Sequence, residues 1–482
     1  MVMEPRYRVL AAAKWGMVAA FLCFPVAMAL GNIAMVVAFT LALVAGGYRG
    51  RWRVVSNIPV VWWALGLYAL ILIGSSYAPV PFKDTLLHWT KYGKLLLVPV
   101  CLSMLVEPLW RRRCMNAYLI AMGFILLSVY ANVFWQLPWS QTHNQGWGVD
   151  HTVVGDYITQ NIMMSFFVIA AIARGHAQAM PWRRWAWRGV ALAAAVAVTQ
   201  LSQGRTGYVL LAVAVTTYAF VALEGRMRWL ALGSLALTLA LALLTSAPVR
   251  QRVELAIVEV AASDSMTITS IGGRINFWTH TLQLIMEKPL QGWGTGSYHQ
   301  VWCAHVTKEG WCWFGGWHPH NQYLFFWMEN GILGLVLFGL LVAAPAWAAR
   351  RADTQDRPLI WGFTAVLAVN SLINASLFSS RESHFFVLML IWVCAQARFG
   401  RNEAAARPCE RAAGDEGIRQ LPRLHWPARA ARHSSPSRST SLLAASARAA
   451  AMPCPAHSAM CPASPACAAA RRTGPMRAFC IG

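Results

Sequence analysis

The chain has 482 residues, of which 57% are hydrophobic and 12% are charged, and its 41 Lys and Arg against 19 Asp and Glu give a net charge of +22. Soluble domains carry about 25% charged residues, so this composition excludes an ordinary soluble enzyme, a disordered scaffold and a small disulfide-rich secreted protein. It is also too apolar for a basic soluble protein that binds nucleic acid, so no nucleic-acid partner is expected. The positive charge is instead typical of a membrane protein, whose cytoplasmic loops concentrate Lys and Arg.

Twelve apolar stretches are candidates for membrane-spanning helices, because a helix that crosses the hydrocarbon needs about 20 largely apolar residues. They are residues 14–30, 32–48, 58–74, 92–106, 115–135, 161–173, 189–201, 206–223, 229–247, 321–343, 359–378 and 384–398. The sequence therefore predicts an all-α, polytopic integral membrane protein with about 12 transmembrane helices, formed by residues 1–400.

Arginine is concentrated after every even-numbered stretch, as at residues 49–53, 111–113 and 226–228. Loops rich in Lys and Arg stay in the cytoplasm. We therefore expect these loops and both termini to be cytoplasmic and the odd-numbered exits to lie on the opposite face. Membrane lipids are expected as partners of the spans.

The longest outward segment, residues 248–320, is expected to be a partly helical loop, because long loops in compact proteins are usually functional or disordered. VRQRVELAIVEVA reads as an amphipathic helix, and RINFWTHTLQLIMEK reads as a second helix that ends before Pro289. The glycine-spaced string QGWGTGS then predicts a flexible turn. Cys303 and Cys312 either pair in an oxidising compartment or stay reduced and buried.

Residues 401–482 differ in composition from the rest of the chain. They are rich in Ala, Arg, Pro and Ser and show no apolar periodicity, so they are expected to form a disordered cytoplasmic tail. The irregular spacing of the five cysteines in this tail matches no zinc-binding pattern, so no metal site is expected.

Three ionisable residues stand at the outward ends of predicted spans. They are Arg205 in SQGRTGY, Arg274 in SIGGRINFW and His320 in HPHNQYLFF. Ionisable groups near membrane depth favour a functional hypothesis, since Arg binds phosphate oxygens and His can accept a proton near neutral pH. Headgroup contacts for the arginines and a capping role for the histidine are the structural alternatives.

The same residues carry a resemblance to a known family. HNQYLFFWMENGILG, residues 320–334, fits the His-Asn, nine residues, Gly, two residues, Gly pattern of the O-antigen ligase and polymerase superfamily. SQGRTGY resembles the family's Ser-x-x-Arg-x-Gly element, and RINFWTHTLQLIMEKPLQGWGTGSY resembles its Arg-x₃-Trp helix with the following Pro and Gly. The likeness covers residues 1–400, with its motifs in 202–334, and the tail departs from it.

The resemblance points to an O-antigen ligase in the bacterial inner membrane with its active site facing the periplasm. Such enzymes transfer a glycan from undecaprenyl diphosphate to lipid A-core oligosaccharide, with inversion and without a metal or other cofactor. An O-antigen polymerase and a protein O-oligosaccharyltransferase are alternatives within the superfamily. A transporter of lipid-linked glycan is the alternative of another class, although it would place ionisable residues near the bilayer midplane.

The resemblance also implies roles for individual residues. His320 would take the proton of the acceptor hydroxyl, while Arg205 and Arg274 would neutralise the leaving diphosphate. Further substrate contacts are expected from Asn321, Lys83, Lys91 and Arg381, with Lys94 beside them. The structural alternatives are a helix cap for Asn321, loop solvation for the lysines and an exposed ion pair between Arg381 and Glu382. Gly331 and Gly334 are expected to allow close helix packing rather than to touch substrate.

Overall fold

The computed structural model describes residues 5–245, 254, 257–258, 270–306 and 310–419, and within these residues every regular element is a helix. The helices are α1 (Pro5–Val26), α2 (Met28–Val44), α3 (Tyr48–Val55), α4 (Pro59–Gly74), α5 (Phe82–Tyr92), a 3₁₀ turn (Gly93–Leu96), α6 (Leu97–Met104), α7 (Pro108–Asn132), α8 (Tyr157–His176), α9 (Pro181–Gln200), α10 (Arg205–Ala222), α11 (Gly225–Thr245), α12 (Ser270–Glu287), α13 (Tyr298–His305), α14 (Trp311–Gly315), α15 (Gln322–Ala349), α16 (Arg357–Ile373) and α17 (Ser380–Arg419). All belong to one compact unit that ends at Arg419.

Six of the described helices are long and apolar enough to cross a membrane: Arg6–Val26, α7, α8, α10, α15 and Ser380–Gly400. The pair α2 and α3, bent by 117°, gives a seventh if it forms one span, and α4 and α16 are apolar but shorter. Each of the twelve predicted stretches overlaps a described helix. The all-helical, multi-pass character expected from the sequence is therefore confirmed, whereas twelve crossings and the periplasmic side of the long loop stay predictions.

Small residues allow α1 and α2 to pack closely as a hairpin that turns at Ala27. A Cβ on Gly16 would stand 3.0 Å from the Cβ of Ala38, and one on Gly31 would stand 2.8 Å from the Cα of Phe24. Helices in a membrane gain stability from such close van der Waals packing, because lipid offers little hydrophobic drive for association.

One end of the helix bundle collects four helix termini. Asn161 of α8 packs against Gly207, which brings the starts of α8 and α10 together. Asp156, which caps α8, lies close enough to Glu382 for the two carboxyl groups to interact electrostatically. Glu382, at the start of α17, accepts a hydrogen bond from Asn370 near the end of α16. This end of the bundle, called the site end below, carries the candidate site.

Helix α15 is broken at Gly331, whose backbone has φ 65° and ψ −166°. A Cβ on Gly331 would stand 2.0 Å from the carbonyl oxygen of Leu290, so only glycine allows the turn after α12 to approach the break. The N–H of Ile332 donates to the carbonyl of Pro289 at 3.0 Å and secures that approach. Gly331 therefore allows close packing, as the sequence predicted.

The described part of the long loop agrees with the sequence prediction. Helix α12 ends at Glu287, before Pro289, and three glycines of the following turn have positive φ, namely Gly292, Gly294 and Gly296. Cys303 and Cys312 form a disulfide, which decides between the two alternatives left open by the sequence. The first predicted helix, in residues 249–261, lies almost entirely outside the described residues.

Helix α17 continues to Arg419, past residue 400, where the tail was expected to begin. The sequence from Asn402 to Arg419 contains many alanines, and alanine has the highest helix propensity. The remainder of the predicted tail, residues 420–482, lies outside the described residues.

Candidate active site

His320 stands at the junction between an irregular segment and helix α15. It has φ 50°, in the left-handed region that residues other than glycine seldom adopt. The next residue, Asn321, is the N-cap of α15, and its Oδ1 accepts hydrogen bonds from the N–H groups of Tyr323 (3.0 Å) and Leu324 (3.1 Å). The capping role considered for Asn321 is confirmed, and its contact with substrate stays a prediction.

The imidazole of His320 is held between two rings. It stacks on Phe277 of α12, with centroids 5.9 Å apart and planes 18° apart, and meets His318 edge to face at 4.4 Å. The backbone N–H of His320 donates to Nδ1 of His318 at 3.3 Å. The buried Nδ1 of His320 has no hydrogen-bond partner among the described residues. The ring is therefore fixed in place by its two neighbours, and its Nδ1 is a buried polar atom without a partner among the described residues.

Both histidines are neutral at physiological pH. Burial lowers the pKa of His320 to about 2, and His318 and the charge of Arg274 lower it further, while the side chain of Asn374 acts in the opposite direction. Burial lowers the pKa of His318 to about 4, and the charges of Lys91 and Arg274 act in the same direction. A neutral imidazole keeps a lone pair, which a general base requires.

Arg274 of α12 lies close enough to His320 for its charge to act on the imidazole. Its charge acts on His318, His320 and Glu382. Phe277, which stacks on the imidazole, is one helical turn further along the same helix α12. Helix α12 therefore supplies both a cation and an apolar wall to the site.

Lys91 also belongs to this cluster. Its Nζ donates to Oγ of Ser380 at 3.0 Å and lies 5.3 Å from the ring centroid of Phe378, and burial lowers its pKa. Phe378 in turn contacts His318, with centroids 5.9 Å apart. Lys94 donates to Ser383 at 2.8 Å. The hydrogen bond to Ser380, the first residue of α17, thus holds Lys91 beside the candidate site.

Lys83 lies in the first turn of α5, and its side chain is exposed. This placement agrees with the solvation role considered for it, and any contact with substrate stays a prediction. Arg205 is the first residue of α10 and therefore stands at the site end. Its part in the chemistry stays a prediction as well.

Arg381 faces a cavity of about 270 Å³ whose lining includes neither His320 nor Arg274. The cavity is lined by Val26, Phe124, Trp139, Gln141, Val153, Val154, Gly155 and Arg381. Nη1 of Arg381 is buried without a hydrogen-bond partner among the described residues, and it lies over Gly155, where a Cβ would stand 2.9 Å from it. A cation in this position suits an anionic ligand.

The exposed ion pair considered for Arg381 and Glu382 is wrong. Glu382 is only 5% exposed, and its Oε2 accepts a hydrogen bond from Nδ2 of Asn370 at 3.0 Å. Oδ1 of Asn370 accepts from Nδ2 of Asn374 at 2.9 Å. The carboxylate is directed inward, where Asn370 near the end of α16 supplies its hydrogen-bond donor.

Asn370 and Asn374 were missed by the sequence reasoning. They lie four residues apart in the apolar stretch VLAVNSLINASLF, and both are almost fully buried. Residues at that spacing lie on one face of a helix, and polar groups within a predicted span are seldom there without a partner. This signal could have identified them.

One group of described residues has the donor atoms of a metal site. Ligand atoms of His299, Cys303 and Cys312 lie within 4.8 Å of one another. The two cysteines form a disulfide with each other, so they offer no thiolates, which zinc would require from them.

Residues 189–339, which contain Arg205, Arg274 and His320, match the family described as O-antigen ligase. A stretch of 166 residues is 27% identical to an uncharacterized protein of Haemophilus influenzae, covering 32% of this chain and 41% of that protein. The match thus spans about two fifths of the length of that relative. Residues 189–339 of this all-helical, multi-pass protein are therefore similar to the O-antigen ligase family, and this segment contains the three principal candidate residues.

Proposed function

We propose that the protein is an O-antigen ligase. It transfers a glycan from undecaprenyl diphosphate to lipid A-core oligosaccharide, with inversion and without a metal or other cofactor, at the periplasmic face of the inner membrane. The observation that carries the proposal is the neutral, buried imidazole of His320, whose Nδ1 has no partner among the described residues and lies within the field of Arg274.

The reaction exchanges one bond at the anomeric carbon of the donor sugar. The oxygen of an acceptor hydroxyl attacks from the face opposite the diphosphate, and the bond between the sugar and the diphosphate oxygen breaks. His320 takes the proton of the attacking hydroxyl. A general base of this kind typically contributes about 10²–10⁴-fold to a rate.

Negative charge develops on the diphosphate as it leaves. Arg274 at the start of α12 and Arg205 at the start of α10 bind its oxygens, because a guanidinium donates paired hydrogen bonds to phosphate. Fixed cations aimed at developing charge lower the barrier without reorganisation. The diphosphate is already an activated leaving group, so the reaction consumes no nucleotide.

Substrate phosphates and sugars outside the reacting bond are held by a second group of residues, Asn321, Lys83, Lys91 and Arg381. Lys91 supports this assignment best, since its charge acts on His318 beside the catalytic imidazole. Arg381 faces a separate cavity and would bind a more distant anionic group of donor or acceptor.

The test is reconstitution of the full chain in vesicles with undecaprenyl-diphosphate glycan, with and without lipid A-core. A ligase forms a new glycolipid only with the acceptor, and His320→Ala abolishes it. His143→Ala is the matched control, because His143 is an exposed histidine outside the cluster. Elongated glycan without the acceptor would indicate a polymerase, and donor that crosses the vesicle without reacting would indicate a transporter.

A further inference from the structure

The cavity that Arg381 faces, called the Arg381 cavity below, lies at the site end of the bundle. Val26 in its wall is the last residue of one candidate span, Arg6–Val26, and Arg381 is the second residue of another, Ser380–Gly400. Spans end where the hydrocarbon meets the lipid headgroups. The Arg381 cavity therefore lies at the depth of lipid phosphates.

The guanidinium of Arg381 is enclosed but has an unused donor. Its Nη1 is buried without a hydrogen-bond partner, and Arg381 forms no ion pair, among the described residues. Asp156 is close enough for its charge to act on Arg381, but its carboxylate accepts from the N–H and the hydroxyl of Thr159, at 2.9 and 2.7 Å. A charged donor that is buried without an acceptor is unfavourable, so a ligand with an acceptor oxygen would stabilise this arrangement.

The loop beside Arg381 holds the guanidinium in place. A Cβ on Gly155 would stand 2.9 Å from Nη1 and 3.1 Å from Cζ of Arg381, so glycine leaves the room that the guanidinium fills. The loop itself is held by Gln160, whose Oε1 accepts from the N–H groups of Val153 (2.8 Å) and Val154 (3.2 Å). The cation is therefore positioned before any ligand binds, which lowers the cost of binding one.

The remaining walls of the Arg381 cavity are largely apolar. Phe124 of α7 and Trp139 lie with ring centroids 6.2 Å apart, three valines complete the walls, and one glutamine adds an amide. A single cation between apolar walls fits a phosphate that is attached to an apolar body, whereas a glycan would require several hydrogen-bonding side chains. The volume of about 270 Å³ is enough for a phosphate and the atoms next to it, but not for a whole lipid.

An apolar stripe on α7 leads from the Arg381 cavity along the span. Ile120, Phe124 and Leu127 are exposed, and their spacing of four and three residues places them on one face of the helix. Phe124 belongs both to this stripe and to the wall of the cavity. The body of a lipid whose phosphate is bound at Arg381 would therefore lie along α7.

The proposed reaction uses two lipids, and their phosphates need separate sites. The diphosphate of the donor is assigned to Arg205 and Arg274, and neither of them lines the Arg381 cavity. Helix α17 nevertheless joins the cavity to the candidate active site, because Ser380, next to Arg381, accepts a hydrogen bond from Lys91. Lipid A carries phosphate groups on its sugars at the membrane surface, so the acceptor is the lipid that fits.

We propose that the Arg381 cavity binds a phosphate group of lipid A-core and so anchors the acceptor at the membrane surface while its sugar hydroxyl reacts at His320. The inference rests on the proposed function for the identity of the lipid. Arg381 donates a charge-assisted hydrogen bond to the phosphate, and the lipid body contacts Phe124 and Trp139.

The first experiment measures binding of lipid A-core to the full chain in detergent, by the rise in melting temperature that a ligand of the folded state produces. Arg381→Gln weakens binding by about 10–100-fold, because a charge-assisted hydrogen bond is lost. Arg381→Lys keeps the charge and binds with intermediate affinity. Arg188→Gln is the matched control and binds as the wild type does, since Arg188 is an exposed arginine outside the cavity.

The second experiment removes the phosphate from the ligand instead of the cation from the protein. Dephosphorylated lipid A-core binds the wild type as weakly as the intact ligand binds Arg381→Gln, and the variant does not distinguish the two ligands. If the losses from the two changes add instead, Arg381 and the phosphate do not meet and the proposal is overturned.

The third experiment identifies the source of the phosphate by competition against lipid A-core. Phosphatidylglycerol competes only weakly, and inorganic phosphate at the same concentration does not compete, because it gains nothing from the apolar walls. If phosphatidylglycerol binds as tightly as lipid A-core and loses its affinity in Arg381→Gln, the cavity belongs to an ordinary phospholipid and the acceptor assignment is overturned. Displacement by inorganic phosphate overturns the assignment to a lipid.

The fourth experiment measures transfer. Arg381→Gln raises the KM for lipid A-core by about 10–100-fold, whereas kcat and the KM for the donor stay close to the wild-type values, because the lost contact is made equally before and during the reaction. Unchanged binding of the donor also shows that the variant is folded.

The outcomes separate the two proposals. If the wild type forms the glycolipid and Arg381→Gln has a wild-type KM for lipid A-core, the binding site is refuted and the proposed function stands. If the wild type binds lipid A-core through Arg381 but transfers no glycan to it, the proposed function fails while the binding site stands.

Discussion

His88 and Glu329 form a buried ion pair, with 3.2 Å between Nε2 and Oε1, that joins helix α5 to the broken helix α15. Glu329 is two residues before the break at Gly331, and its Oε1 also accepts from the N–H of Gly296 at 3.0 Å. The pair therefore connects α5, which carries Lys91, to the glycine turn that follows α12.

The stability of this connection should depend on pH. Burial by itself lowers the pKa of His88. Glu329 raises it through its charge and its contact with the ring, and Asp84 raises it through its backbone carbonyl and its charge. These effects outweigh burial, so the pKa is raised above 6.5. A raised pKa in the folded state contributes stability that is fully present below the unfolded pKa and is lost as pH rises through the folded value.

We therefore expect the melting temperature in detergent to fall as pH rises above about 6.5, the ordinary histidine value. Glu329→Gln should flatten this part of the profile, because the amide still accepts from Gly296 but no longer attracts a proton to His88. His88→Ala should cost about 1–3 kcal/mol of unfolding free energy, since a buried carboxylate loses a partner. An unchanged profile in Glu329→Gln would contradict this linkage.

The principal site residues should divide their effects between chemistry and binding. His320→Ala should abolish transfer but leave binding of the lipid-linked donor largely intact, whereas Arg274→Ala and Arg205→Ala should weaken donor binding as well. Arg→Lys at either position should restore little, because a point charge does not reproduce a paired donor fork. Donor binding to purified variants and single-turnover transfer measure the two effects. Retained donor binding in both arginine variants would exclude their diphosphate role.

Gly331 should tolerate no side chain. Gly331→Ala introduces a Cβ 2.0 Å from the carbonyl oxygen of Leu290 at a residue with φ 65°, so we expect a loss of about 1–3 kcal/mol in unfolding free energy. Gly339→Ala in the same helix is the matched control, because nothing lies within 4 Å of its Cβ position, and it should be neutral or stabilising. Thermal unfolding of both variants in the same detergent tests the difference. Equal melting temperatures would mean that the break in α15 is not constrained.

The orientation of the chain can be tested with reporter fusions. Fusions after Arg113 and Arg228 should report cytoplasm and one after Gly310 should report periplasm, because Arg-rich loops stay in the cytoplasm. A cytoplasmic signal at Gly310 would place His320 on the wrong side for a periplasmic acceptor.

Local properties of the chain determined much of what the sequence predicted correctly. Apolar runs of sufficient length define helices whatever their neighbours are, so all twelve predicted stretches overlap a described helix. Arg274 and His320 were proposed as site residues because each is a charged or polar residue beside an apolar stretch, a pattern visible without knowing the fold, and their roles stay predictions.

Only the tertiary structure decided which distant side chains meet. The sequence indicated that Glu382 is next to Arg381, but helix packing turned Glu382 inward to Asn370 and left Arg381 at a separate cavity. The hydrogen bond between Asn370 of α16 and Glu382 of α17 joins two helices, and no periodicity within one helix can specify it. Hydrophobicity and charge set the helices and their ends, whereas the contacts between helices depend on which small residues and buried polar groups fit together.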